Sequence, residues 1–577
     1  MSEIHSARIK SKLKSDYSDL IDMDDTVGKP ESEREKMFLT RAQGAAVVRQ
    51  LSGATAEKVS SCVVDGYGDN GIDVVYYDIK SSICYVVQSK WVHKGSASPP
   101  KSDVLKFVNG VRDLVSAKYE KFNGKVRRAV KYIDMALKDT DVHFEIIIAY
   151  TGSEKISDEA EGCIDDLVDY LNDPLAVSRK RIYSQKEIYG IISKNNTDID
   201  LDVNLLDWGT IGDPYRAYYG RVSADQIHKW YSEYGTRLFD SNIRNFKGDT
   251  DVNIDMQATL AEEPGKFWYF NNGITILCNS IEKRAIGAGS RGVGEFLCKG
   301  VSVVNGAQTV GSLSGAIASG FEKANSAEVI ARFISLSECP SGFSKEVTTA
   351  TNTQNKIERR DFASLDENQE RLKSELHLDL GKTYAYKSGD PVPRKEDGCT
   401  LEEAVVGLSC HYSEVRYSTE VKQAIGRMWK DKSRPPYTNL FNDNTSAIMM
   451  WNVVRVMREV DLVLGLESSK VGAVNRMDHV AVHGNRFILH HVFKNLEDVQ
   501  LGDRSFELSS YAERIRATTY YILESVSVLI SGMGSVYLNN LFKNHKKLGA
   551  MSDDIPVNVD YAGGYTPRRL REPTLFD

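Results

Sequence analysis

At 577 residues, with 41% apolar and 27% charged side chains, the chain exceeds what one hydrophobic core organises and has the apolar material for two or three domains. A formal charge of -7 and a pI near 6.0 exclude nucleic-acid binding through overall electrostatics, so any such site has to be a local basic patch. No apolar run approaches the roughly 20 residues that span a bilayer, and the eight cysteines include no CxxC pair, so we expect a cytoplasmic protein with reduced thiols, no membrane partner and no structural zinc.

Residues 1 to about 30 read as a polar lead-in. A helix is predicted over 31–51, stopping at Ser52-Gly53. Three β-branched runs follow at 59–64, 72–77 and 83–87, separated by the turn sequences GYGDNG and DIKSS. Helical spacing of Val104, Phe107, Val108, Val111, Leu114 and Val115 predicts a helix over 104–122. FEIIIAY at 144–150 predicts a buried strand, and 157–171 a helix that ends before Pro174. This α-β-β-β-α-β-α order fits an α/β domain over 1–205. Residues 206–395 read as a mixed α/β domain, 396–550 as mainly helical, and 551–577 as an extended tail. Within the helical part, 520–530 is interrupted by Glu524 and two serines, which suits a buried helix.

The chemistry concentrates in DGYGDNGIDVVYYDIKSSICYVVQSKW, residues 65–91. Asp73 opens one strand, while Gln88 and Lys90 share one face at the end of the next. In a hairpin, these three bring a carboxylate, an amide oxygen and an ammonium to one point. Magnesium, with manganese as the alternative, prefers oxygen ligands, here Asp73, Gln88 and the backbone carbonyl of Ser89. Metal-assisted phosphodiester hydrolysis needs this set, with Lys90 orienting the water or stabilising the oxyanion. The bland alternative is a surface strand with polar ends.

The segment resembles the Mrr-type branch of the PD-(D/E)XK restriction-endonuclease superfamily, which reads GID and then QxK. The resemblance implies that Asp73 is the metal-binding aspartate, Gln88 the replacement for the usual Glu, and Lys90 the catalytic lysine. It also implies a supporting carboxylate on the first helix, for which Glu33 and Glu35 are the candidates. Asp65 and Asp69 read either as added negative charge or as turn residues. A basic stretch of Lys118, Lys121, Lys125, Arg127, Arg128 and Lys131 is a candidate phosphate-tracking patch, or else a solvated helix end and loop.

Three amide-rich clusters follow: FWYFNNGITILCN at 267–279, VVNGAQT at 303–309 and ATNTQNKI at 350–357. With RNFKG at 244–248 they resemble the AIPR family, named for abortive infection and phage resistance, over about 210–390. That resemblance implies phage defence, often alongside a restriction-like N-terminal domain. Asn271, Asn272, Asn305, Gln308, Thr309, Asn352, Gln354 and Asn355 form a candidate sensing or interdomain cluster, although buried amides more often satisfy neighbouring backbone. Trp268 and Tyr269 could stack on a base, but a place in the core is the commoner fate. His479 and His483 have i, i+4 spacing without an HExxH glutamate, so they read as packing or surface residues. The run IGAGSRGVG at 286–294 reads as a loop.

The expectation is thus a metal-dependent endonuclease of anti-phage defence that cuts DNA, with RNA as the alternative substrate. The AIPR-like region would sense a phage-derived or nucleotide trigger. Double-strand cutting would call for a homodimer or higher homo-oligomer. The rival expectation is a non-cleaving nucleic-acid-binding switch.

Overall fold

The computed structural model describes residues 2–93, 96–193, 199–239, 251–284, 292–340, 342–353, 366–387, 390–429, 431–469 and 476–557. It opens on α1 (Ser2–Tyr17) and α2 (Glu31–Ser52). Pro30 directly precedes α2, and Glu31 and Glu33 complement the dipole of its first turn. The helix stops at Gly53, whose left-handed φ of 69° lets its N–H return to the carbonyl of Arg49. Leu39, Ala42, Ala45, Val48 and Leu51 are buried in the first core. The approach to the sheet is close: a Cβ on Gly44 would lie 2.9 Å from Val74 Cγ2 and 3.4 Å from Ser89 Cβ.

The short helix α3 (Ala56–Ser60) precedes the first sheet, built from β1 (Val74–Asp78), β2 (Ile83–Lys90), β3 (His143–Tyr150) and β4 (Ser178–Tyr183), in that spatial order. β1 and β2 are antiparallel, and β2, β3 and β4 are parallel to one another. The almost continuous burial of β2 and β3 suits parallel strands covered on both faces. Between β2 and β3 run α4 (Lys101–Val115) and α5 (Gly124–Lys138); α6 (Asp158–Leu171) links β3 to β4, and α7 (Gln185–Ser193) follows.

Two expectations change here. The strand predicted at 59–64 is the end of α3 and a turn, because Thr55 caps a helical start and only Val63 bridges to Val74. The helix predicted over 104–122 ends at Val115, Ala117 adopts φ 55°, and Asn123 caps α5 by accepting from the N–H of Val126. The basic stretch therefore ends on a helix that was not foreseen.

The second sheet has β5 (Leu201–Ile211), β6 (Ala217–Ser223), β7 (Ile274–Cys278), β8 (Ser280–Lys283), β9 (Val293–Lys299), β10 (Ser302–Asn305) and β11 (Glu328–Ser335) in the order β10-β7-β11-β6-β5-β9-β8. With it go α8 (Ala224–Tyr234), α9 (Asp251–Glu262), α10 (Phe267–Phe270), α11 (Ala307–Ala318) and α12 (Phe343–Thr353). Ile227, Tyr231, Val310 and Leu313 from α8 and α11 share a core with Ile274, Ile276, Val329 and Phe333 of the sheet.

Both sheets belong to one compact unit of Met1–Leu114, Lys118–Asn172 and Ala176–Lys356. The other unit is Val115–Ala117, Asp173–Leu175 and Ile357–Asp577. It is mainly helical, with Leu401–His411, Ala447–Ser468, Asn485–Lys494 and Leu508–Gly532 around one core, and Thr400 and Glu403 forming a capping box. Among the described residues no helix is long and apolar enough to cross a membrane, and Tyr520, Ile522, Leu523, Val526 and Ile530 are buried. All eight cysteines are unbridged. Residues 558–577 of the expected tail lie outside the described residues.

Candidate functional site

Asp73 directly precedes β1, and its backbone N–H donates to Val87 O at 2.8 Å. The β1–β2 register carried one step beyond Val74 and Val87 sets Asp73 opposite Gln88. Asp73 is buried, and its Oδ2 accepts from the Ser89 N–H at 2.5 Å. Gln88 Nε2 donates to Gly71 O at 3.3 Å and Asp103 O at 3.0 Å, while its Oε1 is buried with no hydrogen-bond partner. Lys90 Nζ lies 3.1 Å from Asp103 Oδ2. The three residues predicted from sequence thus meet at the end of β2, and Asp103 on α4 ties Gln88 to Lys90.

The glycine-rich turn brings two more carboxylates: oxygens of Asp65, Asp69 and Asp73 all lie within 4.8 Å of one another. Asp69 shapes the turn, accepting from Gly71 N–H at 2.7 Å and Gly66 N–H at 3.1 Å. Gly71, at φ +81°, is required there, since a Cβ would lie 2.8 Å from Phe107 N. Asp65 is held by Arg41, whose fully buried guanidinium donates to Asp65 Oδ2 at 2.6 Å and to both oxygens of Asp25 at 2.8 and 2.7 Å. Lys106 pairs with Asp69 at 2.9 Å. Gln43 on α2 donates to Ser89 Oγ at 3.1 Å and to Ala149 O at 3.0 Å.

Burial first, then the charges of Asp65 and Asp69, push the Asp73 carboxyl well above the usual range, with only partial relief from the Ser89 N–H and Lys90. Burial alone would lower Lys90, but Asp73 and Asp103 outweigh it and raise the ammonium. Lys90 is therefore a protonated donor. Three crowded carboxylates with an orphaned amide oxygen fit a hard divalent cation, which would neutralise the repulsion and satisfy Gln88 Oε1.

Glu35 does not belong to this set. It pairs with Lys10 at 2.6 Å and Lys14 at 2.5 Å, and those hydrogen bonds hold its carboxyl below the usual range. Glu33 pairs with Lys29. Neither supports the aspartates. A Glu35→Ala protein should lose no more than about 1 kcal/mol in urea unfolding, whereas a larger loss would give the residue a role beyond its two lysines.

The basic stretch divides. Lys118 and Lys121 face Asp113, and Lys125 lies 3.1 Å from Asp25. Arg127, Arg128 and Lys131 stand exposed on α5. Asn123, the cap of that helix, donates its side-chain Nδ2 to Val64 O and its backbone N–H to Gly68 O, both at 2.9 Å, so α5 starts beside the aspartate turn.

The second predicted cluster comes together in part. Asn271 Oδ1 accepts from Gly273 N–H at 2.9 Å and from Thr309 Oγ1 at 3.2 Å, and Asn305 Nδ2 donates to Thr351 O at 2.7 Å. These groups tie β7, β10, α11 and α12 together. Asn272 is exposed and Gln308 partly buried. Asn352 lies in the last turn of α12, whereas Gln354, Asn355 and the RNFKG run are outside the described residues. Of IGAGSRGVG, 286–291 are likewise outside them.

Trp268 and Tyr269 are not core residues but 39% and 75% exposed, because α10 is a single turn with only Phe267 buried. His479 and His483 are buried on Arg476–His483, as packing requires. Among the described residues, neither histidine joins a metal-holding group.

Sequence reasoning missed Arg41, Gln43, Asp103 and Lys106. The run TRAQGAA at 40–46 carried a signal, since polar side chains among alanines and glycine on a buried helix face call for partners.

The model of the family described as AIPR protein matches residues 239–551, more than half of the chain. The chain belongs to the AIPR family. No curated protein and no solved structure matches it. Membership associates the chain with abortive-infection phage defence.

Proposed function

We propose that the chain is a divalent-metal-dependent endonuclease of phage defence, in which the first sheet cuts DNA and the AIPR region controls it. The observation that carries the proposal is the meeting of Asp65, Asp69 and Asp73, with Asp73 set opposite Gln88, whose Oε1 is orphaned, and beside the protonated Lys90. The mixed sheet with α2 and α4 beside it supports likeness to the restriction-endonuclease fold. A bound magnesium or manganese ion would supply a water of lowered pKa and neutralise charge developing on the phosphate.

The chain's own residues have separate tasks. Asp73 and Gln88 hold the ion, and Asp65 and Asp69 supply the negative charge that the neutral amide lacks. Lys90, fixed by Asp103, donates to the phosphate oxygens as charge builds on them. Arg127, Arg128 and Lys131 bind the backbone of the substrate. A second copy would serve the opposite strand.

A second reading has its own observation. Arg41 and Lys106 already neutralise Asp65 and Asp69, as a purely structural network would, and the sheet would then grip nucleic acid without cutting. Plasmid nicking by purified protein, with and without infected-cell extract, separates the two. Cleavage should need magnesium, stop on chelation and fall at least about 100-fold in Lys90→Ala, with folding intact by circular dichroism. Metal-independent nucleic-acid retention without cleavage in any condition establishes the switch instead.

A further inference from the structure

In the second sheet, β5, β6 and β11 line a cavity of about 470 Å³ together with the single turn α10 and the residues just before it. That volume lies in the lower half of the range for ligand pockets, ~300 to ~1,000 Å³. None of its lining residues belongs to the aspartate cluster.

The aromatic walls are accessible. Trp268 and Tyr269, both exposed, meet edge to face with ring centroids 5.1 Å apart and planes at 84°, so they form two perpendicular surfaces. Tyr219 is 42% exposed. It pairs with Gly209 in the β5–β6 register, and a Cβ on Gly209 would come 2.3 Å from Tyr219 Cζ. The bare glycine thus seats the third ring while leaving it open to solvent. Three large exposed rings around one cavity exceed the scatter of single apolar residues that any surface carries.

The charged part of the lining is acidic on balance. The β5–β6 register shifts between Leu206 and Gly209, and Asp207 in that bulge adopts φ 47°. There it pairs with Arg221 of β6, which also pairs with Glu328 of β11. One guanidinium serves two carboxylates, so the lining keeps one negative charge over. The Asp207 side chain is 65% exposed, which puts that charge within reach of a ligand. Arg332, opposite Tyr219 on β11, is exposed but outside the lining.

The negative faces of aromatic rings and an uncompensated carboxylate both attract a cation. We propose that this cavity binds the cationic side chain, guanidinium or ammonium, of an arginine or lysine on a partner protein. The rings of Trp268, Tyr269 and Tyr219 would cover the apolar stem and the charged head, and Asp207 would pair with the head. Single-stranded nucleic acid also stacks on aromatic rings, but it would bring phosphates beside Asp207 and Glu328. The proposal does not depend on nuclease activity.

The test is calorimetric titration of the full chain with a repeating Gly-Arg peptide, its Gly-Lys counterpart, the neutral Gly-citrulline isostere of the first, and oligothymidylate. At least one cationic peptide should bind saturably, and the citrulline peptide should not. Trp268→Ala and Asp207→Asn should each weaken the cationic peptide at least about fivefold. Asparagine tolerates the left-handed backbone at 207, so that variant tests the charge alone. Glu513→Gln removes an exposed carboxylate outside the lining and should change nothing. Gly265→Leu should block the cavity and keep the wild-type Tm, since a Cβ there meets nothing within 4 Å. Arg332→Gln should tighten the peptide, because it removes a competing cation from the same face. No saturable binding of either cationic peptide at millimolar concentration would overturn the proposal. So would equal binding of the citrulline peptide, affinity unchanged in Trp268→Ala and Asp207→Asn, or oligothymidylate binding that Arg332→Gln weakens.

Discussion

Arg41→Met should cost the first unit about 3–5 kcal/mol, read as an earlier urea midpoint. Methionine keeps much of the stem packing of Arg41, so the loss isolates the charge. The guanidinium is fully buried and is shared by Asp25 and Asp65, and it also donates to Asp22 O at 2.7 Å. Removing it leaves two carboxylates facing each other near Asp69 and Asp73.

Acid unfolding should change with it. Burial pulls Asp25 upward, but hydrogen bonds from Arg41 and Lys125 outweigh that and hold it below its ordinary 3.8, at about 2. A depressed carboxyl stabilises the fold above its ordinary value and loses that contribution as pH falls through about 2. In Arg41→Met this part of the pH dependence between 3.8 and about 2 should shrink. The triple variant Arg41→Met, Asp25→Asn, Asp65→Asn should recover part of the loss, because both carboxylates that Arg41 held are neutral, while Lys125 gives up Asp25 and keeps only Asp22 at 3.8 Å. Wild-type stability in the single variant would reduce Arg41 to a packing residue.

What the sequence disclosed about this site follows the geometry of the hairpin. Asp73, Gln88 and Lys90 lie on adjacent antiparallel strands, so alternation and a short turn suffice to bring them together. Asp65 and Asp69 stood open between charge and turn, and the structure gives Asp69 both functions. Arg41, Gln43, Asp103 and Lys106 come from helices, and the rotational setting of a helix against a sheet is decided by packing far along the chain. Gly44 illustrates this, for its closeness to Ser89 sets which side of α2 looks at the aspartates. The second sheet was hidden for a related reason. β5 sits between β6 and β9, and β7 between β10 and β11, so most of its pairings join segments distant in sequence.

Asp73→Asn should lower cleavage at least about 1,000-fold while making the chelated protein more stable. The two effects have one cause. In the metal-free state Asp73 is a buried carboxylate crowded by two others, and its charge is opposed by burial and by Asp65 and Asp69. Asparagine keeps an oxygen to accept the Ser89 N–H and removes the repulsion, a gain on the order of a few kcal/mol by the usual penalty for burying an ion. Magnesium should reverse the ranking, since it stabilises the folded wild type in proportion to its binding and finds a weakened site in the variant. Thermal melts of both proteins in chelator and in a magnesium series therefore measure the site independently of any substrate or phage trigger. If Asp73→Asn instead melts lower in chelator, the carboxylate is held by its partners rather than strained by its neighbours. If both proteins respond equally to magnesium, Asp73 is not a ligand. A crossing of the two curves, with cleavage lost on the same side chain, ties the metal and the chemistry to the turn that carries Asp65, Asp69 and Asp73.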